Sequence, residues 1–294
     1  MFFYTLYLIG YTGCLLLPRR VCCWFAHRVA DFCCWRSKKD REAVRRNLQA
    51  ILGRPEVSSE LVREVFRNFG MYLVDFFRFG KLNKEKIRRL IRLEGVERMR
   101  SALSQGRGAV GLTAHLGNYE LAGAVLSLLG LPTEAVVLTH QNPRVDAFFT
   151  RQRSKVGIQG IPVQRMTRRD FFDTALAVLK KNAILGLVGD RDYFDHGILL
   201  PLFGRTIQIP KGAAFFALKA DAPIVPAFLV REPDGSFRFV VEPPIAPPLG
   251  VSREEAVQRM TQGCLEVMER YIRQYPTQWY MFQEFWGQVP AVTL

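Results

Sequence analysis

The sequence predicts an α/β fold, with a single largely parallel central sheet flanked by helices and an N-terminal membrane-anchoring helical segment. Three features predict it: an uncharged stretch over residues 1–18, helical periodicity up to about residue 105, and apolar runs that alternate with helical stretches after Gly106. The chain has 294 residues, 49% of them hydrophobic, and an α/β fold of that size often forms one unit around one core. We therefore expect an anchor over residues 1–36 and one α/β domain over residues 37–294.

The N-terminal segment carries no charge until Arg19 and Arg20. Its length is at the lower limit for crossing a bilayer core, which leaves open whether residues 1–18 span the membrane or re-enter it. A cleaved signal peptide would begin with basic residues, whereas here they follow the apolar run. We therefore expect the segment to be retained and the remainder to lie in the cytoplasm. The aromatic stretch at residues 21–35 predicts an interfacial helix in the headgroup layer.

Residues 40–105 are predicted to be helical. In the second helix of this region, apolar residues recur at spacings of three and four from Leu61 to Phe77, with charged residues between them. Ser58 and Ser59 offer its start. The wide apolar face indicates packing on two neighbouring elements or on the bilayer.

Short apolar runs after Gly106 predict the strands of the sheet. Because these runs do not alternate with polar residues, they are typical of parallel strands covered on both faces. The predicted strands are 108–114, 134–138, 183–189, 222–229 and 237–245. The predicted helices between and after them are 118–129, 145–156, 169–181, 211–220 and 252–275.

The net charge of +14 indicates an anionic partner, such as an anionic membrane surface or an acidic carrier protein. Nucleic acid is not expected, because most aromatic residues lie in apolar runs rather than between basic residues. The cysteines show neither a disulfide framework nor a paired metal-binding spacing. They are Cys14, Cys22, Cys23, Cys33, Cys34 and Cys264.

The motif TAHLGNYELAG carries the clearest chemistry. His115 ends an apolar strand, where groups of a parallel sheet line a ligand crevice, and a helix opens near Asn118. Glu120 falls in the first turn of that helix, which favours its ionised form. We expect its carboxylate to fold back onto the imidazole, fix the tautomer and make His115 a general base. The alternative is structural, with His115 in an ordinary turn and Glu120 as a cap.

The sequence HLGNYE, residues 115–120, resembles the H-x-x-x-x-D/E signature of the lysophospholipid acyltransferase superfamily, in its Glu form. The resemblance is greatest to the bacterial lipid A late acyltransferases (lauroyl and myristoyl acyltransferases), which include the actinobacterial phosphatidylinositol mannoside acyltransferases. It extends from about residue 40 to residue 286. Further matches follow in the same order: NPRVD at 142–146, GDRDY at 189–193, LPLFG at 200–204, PKG at 210–212 and APIVPAF at 222–228.

The resemblance implies a glycerol-phosphate acyltransferase-like fold and additional substrate-binding residues, Asn118 among them. Arg153 lies where the family has an active-site Arg, and it could stabilise an oxyanion or grip a phosphate; otherwise it is a surface residue of a basic helix. Asp190, Arg191 and Asp192 follow a strand end and could organise the site through charge pairs or form a solvated turn. Lys211 precedes a helix whose N-terminus could bind an anion. The alternative is that Lys211 is simply solvated.

Two departures from the family pattern concern the acceptor. Residues 138–141 replace a common Tyr-Arg, and residues 279–284 replace a frequent Trp-x-His-x-Arg pattern. Both changes remove basic groups that could meet phosphosugars, so an acceptor other than lipid A stays open.

Together the motif and the resemblance predict an O-acyltransferase at the cytoplasmic face of the inner membrane. It would move a fatty acyl group from acyl carrier protein or acyl-CoA to a hydroxyl of a membrane glycolipid, such as a lipid A precursor in lipopolysaccharide biosynthesis, without cofactor or metal. Alternatives are a different phospholipid or glycolipid acceptor, a thioester or lipid hydrolase, and a non-enzymatic basic lipid-binding protein. No G-x-S-x-G or H-E-x-x-H motif supports a hydrolase.

Overall fold

The structure, a computed structural model, describes residues 2–192 and 196–286. The helices are α1 (Phe2–Leu16), α2 (Arg19–Arg36), α3 (Lys38–Leu52), α4 (Ser59–Phe77), α5 (Lys84–Leu90), α6 (Val96–Ser104), α7 (Tyr119–Leu128), α8 (Pro143–Ser154), α9 (Arg168–Lys180), α10 (Gly212–Ala220) and α11 (Arg253–Gln274). The strands are β1 (Ile91–Glu94), β2 (Ala109–Thr113), β3 (Thr133–Val137), β4 (Gln159–Pro162), β5 (Ile184–Val188), β6 (Ile198–Leu202), β7 (Arg205–Ile209), β8 (Ile224–Arg231) and β9 (Phe237–Val241).

The central sheet of the described chain has seven strands in the order β1-β9-β8-β2-β5-β3-β4. The strands β8, β2, β5, β3 and β4 run parallel. The strands β9 and β1, at one edge of the sheet, run in the opposite direction: β9 is antiparallel to β8, and β1 is parallel to β9. The strands β6 and β7 form a separate antiparallel hairpin. The predicted α/β fold with a largely parallel sheet is confirmed.

Helices cover both faces of the sheet. Alternate residues of β2 enter different cores: Ala109 packs with the helices α6, α7 and α8, and Val110 packs with α9, α10 and α11. Both side chains are fully buried. Burial on both faces explains why the strand sequences are continuously apolar.

Some predicted elements differ from the structure. The prediction of helix throughout residues 40–105 is wrong at β1, where Ile91 is buried and pairs with Phe237 of β9. Four residues with alternating polarity form a strand here because a partner strand is present. The strands β4, β6 and β7 were not predicted. The predicted start of α4 is confirmed, because the Ser58 hydroxyl accepts a hydrogen bond from the Leu61 amide at 3.3 Å.

The two N-terminal helices pack on α4. Gly70 permits close approach of α2, since a Cβ there would lie 3.1 Å from the carbonyl oxygen of Ala26. Arg67 of α4 forms two hydrogen bonds with Asp31 of α2, of 2.6 and 2.9 Å. Within residues 2–192 and 196–286, no helix combines the length and the apolarity needed to cross a bilayer.

The opposite face of α2 is apolar and exposed. Its large exposed side chains are Val21, Trp24, Phe25, Val29, Phe32 and Trp35. Most recur at helical spacings of three and four, so they form one stripe, which we call the α2 stripe.

Candidate active site

The turn between β2 and α7 carries His115. It is tightly constrained: Gly117 has φ +60°, and a Cβ there would collide with the carbonyl oxygen of Leu229. The amide of Asn118 donates to that same carbonyl at 2.8 Å. The Asn118 side chain caps α7 by accepting from the Leu121 amide at 3.0 Å. The backbone therefore holds His115 at the carboxyl edge of the sheet.

Asp190, at the end of β5, contacts the imidazole of His115. The distance from His115 Nδ1 to Asp190 Oδ1 is 2.7 Å, and the His115 amide donates to Oδ2 at 3.1 Å. The Trp279 indole also donates to Oδ2, at 2.8 Å. Burial alone would raise the pKa of Asp190, but the charge and hydrogen bonds of His115, together with the indole, lower it below its ordinary value. The Asp190 carboxylate is therefore ionised and leaves Nε2 of His115 as the available ring nitrogen.

Glu120 binds Arg153 of α8 instead of His115. Arg153 Nε lies 3.0 and 3.2 Å from the two carboxylate oxygens, and Nη2 lies 2.5 Å from Oε1. The two side chains are only 11% and 10% exposed. Burial would lower the pKa of Arg153, but the Glu120 carboxylate raises it above its usual value. The expectation that Glu120 orients His115 is wrong, because a planar guanidinium offers this carboxylate several charge-assisted hydrogen bonds.

A cavity of about 1420 Å³ opens beside these residues, and His115, Glu120 and Arg153 line it. It exceeds the roughly 300–1,000 Å³ of ordinary small-molecule sites. Its lining residues come from both faces of the sheet, Leu126 from the core under α7 and Met268 from the core under α11. Most of the lining is apolar, so the cavity suits a long apolar ligand.

Small residues of neighbouring strands make room for the cavity. Gly186 of β5 pairs with Gly111 of β2 on one side and with Ala135 of β3 on the other, and all three line the cavity. Gly123 of α7 lies on the lining as well. Larger side chains at these positions would fill the space between sheet and helix.

The other predicted substrate-binding residues lie at different depths. Arg191 and Lys211 line the cavity, Lys211 directly before α10. Asp190 lies behind His115 and is 2% exposed. Asn118 is equally buried and acts as the cap described above. Of the sequence GDRDY, Tyr193 lies outside the described residues, as do Met1 of the predicted anchor and residues 287–294 of the predicted domain.

Several residues at the site were not singled out as functional from the sequence. The ring of Tyr119 lies edge-on to His115, with centroids 5.3 Å apart. Its hydroxyl oxygen accepts a hydrogen bond from the Tyr72 hydroxyl at 3.2 Å. Burial raises the pKa of Tyr72 well above its ordinary value. His140 lines the cavity against Phe149, at 4.3 Å between ring centroids. Only tertiary packing brings Tyr72, His140 and Phe149 to the motif, whereas Tyr119 belongs to it.

Metal-ligating side chains do not cluster in the part of the chain that the structure describes, where no group of three or more His, Cys, Asp or Glu residues could hold an ion. His115, which is paired with Asp190, and the Glu120–Arg153 ion pair lie at the cavity wall.

The fold and site define an α/β protein with a histidine–carboxylate pair beside a large, mostly apolar cavity. Residues 1–288 match the family model of the bacterial lipid A biosynthesis acyltransferases. The chain belongs to this family and is an O-acyltransferase. The resemblance inferred from the motifs is therefore confirmed.

Individual relatives are similar to the chain over most of its length. The phosphatidylinositol mannoside acyltransferase of Mycolicibacterium smegmatis is 27% identical over 247 residues, which cover 83% of this chain and 79% of the relative. The lipid A biosynthesis palmitoleoyltransferase of Escherichia coli is 25% identical over 234 residues, which cover 77% of this chain and 74% of the relative. The matches thus include acyltransferases named for two different glycolipids.

Proposed function

We propose that this acyltransferase moves a fatty acyl group from a thioester, on acyl carrier protein or coenzyme A, to a hydroxyl of a membrane glycolipid. The observation that carries the proposal is the 2.7 Å contact between His115 Nδ1 and Asp190 beside the apolar cavity. A carboxylate bonded to one ring nitrogen fixes the tautomer and leaves the other nitrogen free to accept a proton.

His115 acts as the general base. Its Nδ1–H donates to Asp190, and Nε2 takes the proton of the acceptor hydroxyl as that oxygen attacks the thioester carbonyl. When the tetrahedral intermediate collapses, the C–S bond breaks and the imidazolium returns the proton to the departing sulfur. The products are an ester and a thiol, and no covalent bond to the protein forms. General-base assistance of this kind accelerates a reaction roughly 10²–10⁴-fold.

Glu120 and Arg153 act as a pair. Two nitrogens of the guanidinium bind Glu120, and within the described residues Nη1 has no protein acceptor. We assign this nitrogen to the substrate, where a fixed N–H donor can stabilise the oxyanion of the tetrahedral intermediate or bind an acceptor phosphate. Glu120 then serves catalysis by holding the guanidinium in place.

Basic residues on the cavity wall would bind the anionic parts of the substrates. Arg191 and Lys211 line the cavity, and the start of α10 adds the positive end of a helix dipole beside Lys211. Asn118 contributes by holding the turn that carries His115. The cavity volume and apolar lining fit a fatty acyl chain, and a glycolipid acceptor brings further chains of the same kind.

Membrane attachment would occur through the α2 stripe. Exposed aromatic and aliphatic side chains on one helix face, with Arg20, Arg28 and Arg36 on the same helix, suit the headgroup region of an anionic bilayer. We accordingly propose that the enzyme works at the cytoplasmic face of the inner membrane, where its lipid acceptor lies. The acceptor is a lipid A precursor or another glycolipid, such as a phosphatidylinositol mannoside.

The test is incubation of detergent-purified protein with acyl-CoA or acyl carrier protein and a total lipid extract, followed by mass spectrometry. Wild type and a His27→Ala control should produce a lipid heavier by one acyl group, and His115→Ala should not. His27 suits the control because it lies on α2, outside the cavity lining. Release of free fatty acid alone would identify a hydrolase, and no consumption of either thioester would identify a lipid-binding protein.

A further inference from the structure

We propose that Trp279 is a positioning residue for the reaction: its indole N–H holds the Asp190 carboxylate in the orientation that selects the reactive tautomer of His115. This inference rests on the proposed function of His115 as a base. Trp279 itself is 2% exposed and lies outside the cavity lining. It acts through Asp190 rather than on the substrate.

The hydrogen bonds at Asp190 divide between its two oxygens. Oδ2 accepts from the Trp279 indole at 2.8 Å and from the His115 amide at 3.1 Å. Oδ1 is left to the imidazole Nδ1, at 2.7 Å. With both donors on Oδ2, the carboxylate plane is fixed and Oδ1 points at the ring. A buried carboxylate in this position binds Nδ1–H and disfavours the tautomer that carries its proton on Nε2.

Hydrogen bonds join the backbone around Trp279 to the turn between β2 and α7 that carries His115, which we call the catalytic turn. The Tyr280 amide donates to the His115 carbonyl at 2.8 Å, and the Gly117 amide donates to the Gln278 carbonyl at 2.9 Å. Residues Leu116 and Trp279 form an isolated β-bridge between these two bonds. The indole therefore moves with the catalytic turn, and its hydrogen bond sets the carboxylate relative to the imidazole.

Replacing the indole by phenyl removes one of two donors to Oδ2 while retaining an apolar ring. The carboxylate can then rotate about its terminal bond, and Oδ1 no longer faces Nδ1 alone. Neutral His115 becomes a mixture of both tautomers, and only the Nδ1–H form can accept a proton at Nε2. Removing the outer hydrogen-bond partner of a metal-ligating histidine typically costs about 10–100-fold in metal affinity or activity, and by analogy we expect a loss of that size in activity here.

Trp286 provides a matched control. Phe285 contacts both indoles, at 5.1 Å between ring centroids in each case. Among the residues that the structure describes, none forms a hydrogen bond with the buried Nε1 of Trp286. Trp286→Phe therefore removes an indole N–H from the same aromatic group without removing a hydrogen bond.

The first measurement is the tautomer of His115 by ¹⁵N NMR of histidine-labelled protein in detergent. The chain has four histidines, at positions 27, 115, 140 and 196, so single substitutions suffice to assign the ring signals. We expect an Nδ1–H tautomer at neutral pH in wild type and Trp286→Phe, and a mixture in Trp279→Phe. This measurement needs no turnover, so it separates failure of the tautomer argument from failure of the proposed reaction.

The second measurement is steady-state kinetics of acyl transfer. Trp279→Phe should lower kcat by roughly 10–100-fold and change KM less than twofold, because the cavity is untouched. If the phenyl variant does not fold, site-specific benzothienylalanine keeps the shape of the indole and lacks its N–H. If Trp279→Phe has the same His115 tautomer and the same kcat as Trp286→Phe, the proposal is overturned. A loss of kcat in Trp279→Phe with an unchanged tautomer would overturn it too.

Discussion

Glu120 and Arg153, 33 residues apart in sequence, form a nearly buried ion pair on the wall of the cavity. The pair joins the first turn of α7 to the last turn of α8. Because both charges are largely removed from water, either charge would be destabilising without the other as its partner. The position of Glu120 five residues after His115 thus leads to a different contact from the one its spacing suggests, and the ion pair is open to direct test.

The ion pair should dominate the stability of this region. Arg153→Ala leaves the Glu120 carboxylate buried without its partner, and we expect a loss of about 3–5 kcal/mol in the free energy of unfolding. The double variant Glu120→Ala/Arg153→Ala should lose clearly less than the sum of the single losses, since it leaves no unpaired charge. Denaturant unfolding of the four proteins measures this coupling. Additive losses would show that the pair is not energetically linked.

Asp190 should affect both turnover and acid stability. The side chain of Asp190→Asn has no negative charge with which to bind the Nδ1–H of His115. We therefore expect kcat to fall by roughly 10³–10⁴-fold, as when the carboxylate of a catalytic triad is replaced by an amide. The fold should persist, because the amide has the same shape. A variant with more than a tenth of the wild-type kcat would contradict the role of Asp190.

The pH dependence follows from the direction of the Asp190 pKa shift. Its pKa lies below 3.8 in the folded protein, so in acid the unfolded chain binds a proton before the folded chain does. The stabilisation is present above pH 3.8 and is lost as the pH falls through the lower folded pKa. The free energy of unfolding, measured from pH 7 to pH 3, should therefore fall more steeply in wild type than in Asp190→Asn. Parallel curves would contradict the shift.

Gly186 should limit the acyl chain that the cavity accepts. An added Cβ there meets only ordinary contacts, the nearest at 3.5 Å from the Glu134 carbonyl oxygen. Gly186→Val should thus fold and narrow the cavity, and each methylene that loses its apolar site costs about 0.8 kcal/mol of binding. With thioesters of increasing length, kcat/KM for long chains should fall at least tenfold while that for short chains is kept. Equal losses at all lengths would argue against an acyl site beside Gly186.

The α2 stripe should decide membrane binding. Trp24→Ala/Phe32→Ala/Trp35→Ala removes three exposed side chains, and we expect at least a tenfold weaker partition into anionic vesicles in a sedimentation assay. Leu249→Ala is the control, because Leu249 is 95% exposed and lies outside α2. Salt should weaken binding of the wild type, since part of the attraction is electrostatic. Unchanged binding of the triple variant would place the contact elsewhere.

Much of the fold was predictable because its signals are local. The five predicted strands and the helices between them are each marked by continuous apolar runs or by helical spacing, and each is present within a few residues. The exceptions depend on partners distant in sequence. Residues 91–94 become a strand only because β9 offers an edge, and β6 and β7 stabilise each other as a hairpin.

The sequence by itself determined the α/β class, the position of His115 at a strand end, and the apolar stretches that fill the core and the α2 stripe. Only the tertiary structure decided which carboxylate serves the imidazole. Asp190 is 75 residues from His115, and it arrives because β5 pairs with β2 and the two strands end together. Glu120 is near in sequence, but its helix directs it to Arg153. Partners of a reactive group are set by strand adjacency and charge pairing in space, which spacing along the chain does not encode.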